Sequence, residues 1–256
     1  WDPGWASMRV HLVRHGEVHN PRSVMYGRLP RFRLSAHGVR QAEEAAAHLA
    51  SRQLALILCS PMLRARTTAR ELQRGQARAH RQPQGPPLRQ EAALLEVHTP
   101  HDGKPLSTFA GRWHTLYDDV PEGYETFEAV ASRLRSLLAR LAADFGEDAE
   151  VACVTHGDVV FSARLLAEGL PTTLASKKRE DARLYPATAS IVSLDVDADG
   201  SVRGGAYWAP TRAPDRFTET QAQAPALCGA AAAEEGGGGG GETPARKAKR
   251  SRRGVS

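Results

Sequence analysis

The stretch MRVHLVRHG, residues 8–16, joins a short β-rich run to a polar RHG end. Branched apolar residues favour a β-strand, and the glycine then favours a turn. His11, His15 and His19 recur every four residues, a spacing that would align metal ligands on one face of a helix. Because the run is β-rich, because Arg14 puts a fixed positive charge beside His15, and because no HExxH or CxxC motif accompanies the histidines, we expect no metal site.

The same strand-then-polar pattern occurs twice more along the chain. LALILCS (54–60) is a buried-strand run, and PMLRARTTARELQ (61–73) follows as a predicted helix with proline at its first position. EVACVTHGD (150–158) is a third strand run, with a predicted helix over 159–168. Strands that alternate with helices predict an α/β fold, a three-layer sandwich whose mainly parallel sheet carries helices on both faces.

The remaining segments complete this architecture. We predict a helix over 35–50 with Ser35 as its N-cap, and a long amphipathic helix over 124–145. Residues 97–122 are loop-rich, and we interpret them as an insertion. ASIVSLDV and VRGGAYW flank the turn dipeptide Asp199-Gly200, which predicts an antiparallel hairpin at one edge of the sheet.

Composition predicts one globular domain with a tail. The chain has 256 residues, 41% hydrophobic and 25% charged, which is enough for one sizeable core. We place the domain at residues 8–225, an N-terminal extension at 1–7, and a disordered tail rich in glycine and basic residues at 226–256. Nucleic acid is a weak alternative partner through this tail alone, and a solubilising end is the simpler interpretation.

Hydropathy and cysteine content bear on location. The apolar runs reach about seven residues, whereas a membrane span needs roughly 20, so we expect no membrane partner. Three cysteines form no disulfide framework, which favours a reducing compartment. We therefore expect a soluble, cytoplasmic protein.

Three predicted strands end in polar clusters, and parallel topology brings such ends to one edge of a sheet. They are RHG at 14–16, Ser60-Pro61 with Arg64 in the next helix, and THG at 155–157. Paired arginines and helix N-termini suit a phosphate group, and a neutral imidazole is a nucleophile for phosphorus. A carboxyl group with a raised pKa is still needed to protonate the leaving alcohol.

The segments LVRHGEVHN, SPMLRARTTA and VTHGD resemble, in order and spacing, the motifs of the histidine phosphatase superfamily, also called phosphoglycerate mutase-like. The resemblance runs from about Met8 to Leu194 and implies a phosphohistidine on His15. It also implies an acid/base after the apolar run of LLEVHTPHDGK, for which we choose Glu96, with Asp102 as second choice. The predicted catalytic residues are His15, Glu96 and His156, and the predicted substrate- or phosphate-binding residues are Arg14, Arg64, Asn20, Gly16, Arg28, Tyr26 and Gly157.

Two departures from the family pattern bear on the substrate. Mutases of the superfamily carry an arginine-histidine-tyrosine-glycine-like segment after their glutamate, whereas VHTPHDGK follows Glu96, and this favours hydrolysis. The loop after the first motif reads YGRLPRFRLS. Its Tyr26, Arg28, Arg31 and Arg33 predict a basic rim and an anionic substrate beyond the transferred phosphate, with solvated arginines as the alternative.

Together these observations predict a phosphatase that hydrolyses a small phosphate monoester through His15 and needs no cofactor. Phosphoglycerate mutase-type transfer is the alternative within the enzyme class. A non-catalytic phospho-ligand-binding protein is the alternative outside it, and the intact set of Arg14, His15, Arg64 and His156 argues against that one.

Overall fold

The computed structural model describes residues 7–210. Its strands are β1 (Met8–Arg14), β2 (Leu54–Cys59), β3 (Leu88–Gln90), β4 (Glu150–Thr155), β5 (Ile191–Val196) and β6 (Val202–Trp208). Its α-helices are α1 (Ala36–His48), α2 (Leu63–Ala79), α3 (Phe127–Asp144), α4 (Gly157–Ala167) and α5 (Leu174–Leu184). Short 3-10 turns at Ala92–Leu94, Leu106–Phe109 and Trp113–Thr115 lie between β3 and α3.

The strands form one six-stranded sheet in the order β3-β2-β4-β1-β5-β6. The four strands β3, β2, β4 and β1 run parallel to one another. Strand β5 pairs antiparallel with β1, and β6 pairs antiparallel with β5. The predicted fold class is confirmed, including the antiparallel hairpin at one edge.

Each face of the sheet has its own core, because successive strand residues point to opposite faces. Val13 of β1 packs on one side with Leu49, which follows α1, and Leu72 of α2. Leu12 packs on the other side with residues of α3 and α4, among them Leu134. Burial on both faces explains why the parallel strands read as nearly continuous apolar runs.

Helix α2 differs from its prediction at both ends. It starts at Leu63, with Met62 as N-cap, rather than at Pro61, and it continues past residue 73 to Ala79. A glycine in the helix interior, Gly75, lies where α1 comes close, since a Cβ there would be 2.8 Å from the Cβ of Ala46. Close packing against α1 thus stabilises the helix beyond residue 73, where the predicted helix ends.

Helix α5 and the three-residue strand β3 are not predicted by the sequence pattern. Helix α5 reads LASKKREDARL and buries only Ser176, Lys177 and Leu184, so it shows no apolar stripe. Its start is set locally, because the side chain of Thr173 accepts a hydrogen bond from the backbone of Ser176. The predicted N-cap Ser35 is confirmed, with its hydroxyl accepting from the Gly38 N–H at 2.9 Å.

Residues 1–6 and 211–256 lie outside the described part of the chain. The predicted tail at 226–256, most of the predicted extension at 1–7, and the end of the predicted domain beyond residue 210 therefore stay predictions. Within residues 7–210, no helix is both long and apolar enough to cross a membrane.

Candidate active site

The carboxyl ends of β1 and β4 lie side by side and carry the two histidine motifs. Arg14 and Thr155 are partners in the sheet register, and the backbone N–H of His15 donates to the Thr155 carbonyl at 2.9 Å. The imidazole rings of His15 and His156 consequently lie with their centroids 5.2 Å apart. The strand topology has brought the two predicted histidines into one site.

His15 is held as a neutral imidazole with a defined tautomer. Its Nδ1 lies 2.8 Å from the Gly16 carbonyl, and because a carbonyl only accepts, the ring proton is on Nδ1. Its Nε2 therefore carries the lone pair and accepts from Arg64 Nε at 3.1 Å. Burial, followed by the charges of Arg64 and Arg14, holds the His15 pKa well below its usual range.

The His156 ring is oriented by Ser60, which the sequence places in a polar strand end but which is not among the predicted site residues. Its Nε2 lies 2.7 Å from Ser60 Oγ, and its Nδ1 lies 3.1 Å from Arg64 Nη2. Because the guanidinium can only donate, Nδ1 carries the lone pair and Nε2–H donates to Ser60. Burial and the charge of Arg64 lower the His156 pKa well below its usual range. Ser60 directly follows β2, and that position is the signal that could have identified it.

Arg64, in the first turn of α2, bridges both imidazoles. It is fully buried, and its Nη2 also donates to the Gly27 carbonyl at 2.6 Å. Its guanidinium lies 4.7 Å from the Tyr26 ring centroid. Among the described residues its Nη1 has no hydrogen-bond partner, although it is buried. A buried guanidinium N–H of this kind is costly unless an acceptor such as an anion binds it.

Arg14 and Tyr26 contribute to the same site. Arg14 is 3% exposed, and its Nη1 donates to the Pro186 carbonyl at 2.6 Å. Tyr26 packs edge-on against His15, with ring centroids 6.3 Å apart. Both residues line the cavity that opens beside the histidines.

Glu96 supplies a carboxyl group with an altered pKa. Its Oε2 lies 3.7 Å from His156 Nδ1, and its Oε1 accepts from the Val97 N–H at 3.0 Å. Burial first, and then the nearby Asp158 carboxylate, raise the Glu96 pKa to about 7, with Arg64 acting in the opposite direction. A carboxyl that titrates near neutrality can both donate and accept a proton.

Asp102, the second choice for the acid, lies elsewhere. Its Oδ2 accepts from the Arg28 backbone N–H at 2.9 Å, and its side chain packs over Gly27, where a Cβ would lie 1.7 Å from Oδ1. Burial raises its pKa, but it is not among the residues that line the cavity. The structure therefore favours Glu96 over Asp102.

Arg28 of the predicted basic rim is paired within the protein. The guanidinium of Arg28 donates to the Glu96 carbonyl at 2.8 Å and to Glu125 Oε2 at 2.8 Å. It therefore connects the loop after β1 with the segment between β3 and α3. Neither Arg28, Arg31 nor Arg33 lines the cavity. Glu125 therefore neutralises the charge of Arg28, whereas Arg31 and Arg33 are exposed to solvent.

Asn20 and Gly16 also have local partners. The Asn20 side chain donates to the Val24 carbonyl and accepts from the Val24 N–H, which is the loop-terminating alternative to a phosphate contact. The Gly16 N–H donates to Thr68 Oγ1 at 3.1 Å, and a Cβ on Gly16 would lie 2.2 Å from the Gly38 carbonyl oxygen. Glycine is needed at position 16 because helix α1 approaches so closely.

Gly157 is the first residue of α4, directly after His156. A Cβ there would lie 2.4 Å from the Tyr185 hydroxyl oxygen, so this glycine makes room for a tyrosine that lines the cavity. Tyr185 also lies 5.3 Å from the Arg14 guanidinium, measured to the ring centroid.

A buried charge network lies behind Glu96, and sequence analysis does not select its members. Asp158 accepts from the Tyr117 hydroxyl at 2.5 Å and from Lys177 Nζ at 2.9 Å. Lys177 is 7% exposed and lies over the Phe161 ring, 4.7 Å from its centroid. Because lysine and aspartate are rarely buried unless paired, the network holds the Asp158 carboxylate charged beside Glu96.

Three possible metal ligands, on His15, Glu96 and His156, have atoms within 4.8 Å of one another. The lone pairs that would bind a cation already accept hydrogen bonds from Arg64, whose fixed positive charge would lie beside the ion. The donor set therefore fits an anion better than a metal.

A cavity of about 310 Å³ borders the site through Tyr26 and Glu96, which line the cavity and lie against His15 and His156, respectively. Its walls come from the loop after β1 and from the segment between β3 and α3. Arg14, Tyr26 and Glu96 line the end nearest the imidazoles, and apolar side chains form much of the remaining wall. A substrate whose phosphate reaches His15 would place its leaving group in this space.

Comparisons with known proteins identify the family of this chain. The chain matches the family model of the histidine phosphatase superfamily (branch 1) over residues 10–202. The uncharacterized protein Rv0525 of Mycobacterium tuberculosis (strain ATCC 25618 / H37Rv) is 33% identical over 198 residues, which cover 75% of this chain and 91% of the relative.

Solved structures show the same fold. Mycobacterial glucosyl-3-phosphoglycerate phosphatase Rv2419c is 26% identical with a TM-score of 0.61, covering 78% of this chain and 97% of that one. A protein described as mycobacterial hydrolase 1 is 27% identical with a TM-score of 0.63, covering 79% and 98%. The chain belongs to the histidine phosphatase superfamily, branch 1, and thus to a group of phosphatase- or mutase-like enzymes.

Proposed function

We propose that this protein is a phosphatase that hydrolyses a phosphate monoester through a phosphohistidine on His15. The observation that carries the proposal is the Arg64 guanidinium, which bridges the lone pairs of both imidazoles and keeps a buried N–H without a partner among the described residues. A phosphoryl group can satisfy that donor while its phosphorus faces His15 Nε2. Each arginine charge at about 4 Å contributes roughly 4 kcal/mol of attraction to a unit negative charge at an effective dielectric of about 20.

The reaction has two in-line steps. In the first, His15 Nε2 attacks phosphorus, the P–O bond to the alcohol breaks, and the departing oxygen takes the proton of Glu96. In the second, the Glu96 carboxylate takes a proton from water, the water oxygen attacks phosphorus, and the P–Nε2 bond breaks to release inorganic phosphate. Arg14, Arg64 and His156 hold the phosphoryl oxygens through both steps.

Two features support hydrolysis over mutase chemistry. Val97, Thr99 and Pro100 follow Glu96 along the cavity wall, where a mutase-like chain would carry its arginine-histidine-tyrosine-glycine-like segment. The solved structure of Rv2419c, 26% identical to this chain, is described as that of a glucosyl-3-phosphoglycerate phosphatase. A phosphoglycerate mutase would also need residues that bind the carboxylate of its sugar-acid substrate.

The test is rapid quenching with a ³²P-labelled monoester under alkaline conditions, in which phosphohistidine survives. We expect label on His15 within one turnover, and none in His15→Ala. His19→Ala is the matched control, because His19 is exposed and does not line the cavity. Undiminished turnover by His15→Ala would overturn the mechanism, and a requirement for a bisphosphorylated activator would indicate a mutase instead.

A further inference from the structure

The cavity beyond the phosphate site has an apolar wall made by two separate segments. Val24 and Met25 contribute from the loop after β1, and Leu106, Leu116 and Val120 contribute from the segment between β3 and α3. Tyr117 and Tyr185, which lie outside the strands, complete the wall. The volume of about 310 Å³ is at the lower end of the range for small-molecule sites.

The described lining residues offer few positive charges to an anionic leaving group. Apart from Arg14 at the phosphate end, Lys104 is the one lysine or arginine among the described lining residues, and its Nζ lies 3.1 Å from His101 Nδ1. Asp118, Asp119, Glu125 and Asp158 also line the cavity. Beyond Arg14, a carboxylate on the substrate would find a single cation among the described lining residues, the solvent-exposed Lys104.

The acidic residues do not call for a cationic leaving group either, because three of them are already paired. Glu125 binds Arg28 and Arg133, at 2.8 and 3.0 Å. The Asp158 carboxylate is bound by Lys177 at 2.9 Å, and the Asp118 carboxylate by Lys178 at 2.5 Å. Asp119 is exposed at the mouth of the cavity, where water screens its charge.

From this wall and these pairings we infer that the substrates are phosphate monoesters of uncharged, largely apolar alcohols large enough to fill the cavity. The inference rests on the proposed function, and it names the leaving group that the same site accepts. Burying one more CH₂ group of the leaving group against the wall changes the apparent affinity of the transition state by about fourfold.

The test is a series of ethyl, butyl, hexyl and octyl phosphates, whose leaving alcohols have similar acidity, together with 3-phosphoglycerate. We expect kcat/KM to rise with chain length by up to about fourfold per CH₂ group until the cavity is filled. We expect 3-phosphoglycerate to be hydrolysed more slowly than hexyl phosphate. A flat series, or a preference for 3-phosphoglycerate, would overturn the inference.

A pair of variants separates the wall from general stability. Leu116→Ser alters the wall, and Leu88→Ser alters an equally half-buried leucine on β3 that packs on the opposite core. We expect the hexyl-to-ethyl ratio of kcat/KM to fall in Leu116→Ser and to be unchanged in Leu88→Ser, and this ratio does not depend on the folded fraction. Equal ratios in both variants would contradict the inference.

Failure of the proposed function has a different signature. If no phosphohistidine forms from any ester, the mechanism is wrong and the inference falls with it. If phosphohistidine forms from every ester at the same rate, the mechanism holds and the inference alone is overturned.

Discussion

Arg64 Nε donates a 3.1 Å hydrogen bond to His15 Nε2, the nitrogen that attacks phosphorus in the proposed mechanism. The contact keeps the lone pair pointed into the site, and an incoming phosphoryl oxygen can take over the N–H as the P–N bond forms. The residue that orients the nucleophile in the resting state is thus the residue placed to hold the phosphate.

Arg64→Lys is expected to lower kcat/KM by about 100- to 1000-fold, because one ammonium group cannot bridge two imidazoles and a phosphoryl oxygen. Arg70→Lys is the control, since Arg70 is exposed on the same helix. Steady-state kinetics, with thermal melting to verify folding, measure the effect. A loss no larger than that of the control would show that Arg64 is dispensable.

Glu96→Gln is expected to accumulate phosphohistidine from an aryl ester such as 4-nitrophenyl phosphate. The aryl leaving group needs little help from an acid, whereas water attack in the second step needs a base, so turnover falls by about 100- to 10,000-fold. Rapid-quench labelling measures the trapped intermediate. Glu122→Gln, at an exposed site outside the cavity, serves as control, and an absence of accumulation would assign the base elsewhere.

The pH dependence of kcat/KM should report Glu96. Its pKa of about 7 means that the proton donor is lost, and the rate falls, as pH rises through that value. His15 and His156 do not cause this decline, because their pKa values lie well below the usual histidine range and both stay neutral.

Asp158→Asn is expected to move this alkaline decline to lower pH. The Asp158 carboxylate is one of the causes that raise the Glu96 pKa, so its removal makes the Glu96 proton easier to lose. Comparing the variant with the parent cancels the ionisation of the substrate, whose second phosphate pKa is about 6. Asp181→Asn is the matched control, since Asp181 also contacts Lys177, at 3.4 Å; equal profiles for the two variants would exclude the charge effect.

Gly16→Ala is expected to destabilise the protein by about 1–3 kcal/mol and to lower activity, because the new methyl group would collide with the Gly38 carbonyl of α1. Urea unfolding measures the free energy. Gly204→Ala is the control, since a Cβ there meets nothing within 4 Å. Unchanged stability in Gly16→Ala would mean that α1 can move away without cost.

Local sequence patterns predict much of this molecule. The apolar runs of β1, β2 and β4 predict the parallel sheet, and their polar ends predict where His15, Arg64 and His156 come together. Helix α5 is not predicted because most of its residues are charged and the helix lacks an apolar stripe. Its Lys177 is buried because it pairs with Asp158 of α4, which the local sequence does not show.

Side-chain partners across elements are harder to predict than strand ends. Arg28 looks like a free cation in the sequence, yet Glu125, far along the chain, neutralises it. Ser60 contacts His156 Nε2, and the Asp158 charge raises the Glu96 pKa; both relations depend on the tertiary register.

The hydroxyl of Thr68 accepts from the Gly16 N–H at 3.1 Å and donates to the Arg64 carbonyl at 3.0 Å. One side chain of α2 therefore connects the backbone next to His15 with the helix turn that carries Arg64. These two hydrogen bonds restrain the separation between the Gly16 backbone and the first turn of α2. Because both hydrogen bonds form when the protein folds, the Gly16 N–H and the Arg64 turn are already oriented. The reaction then requires little further reorganisation of these groups.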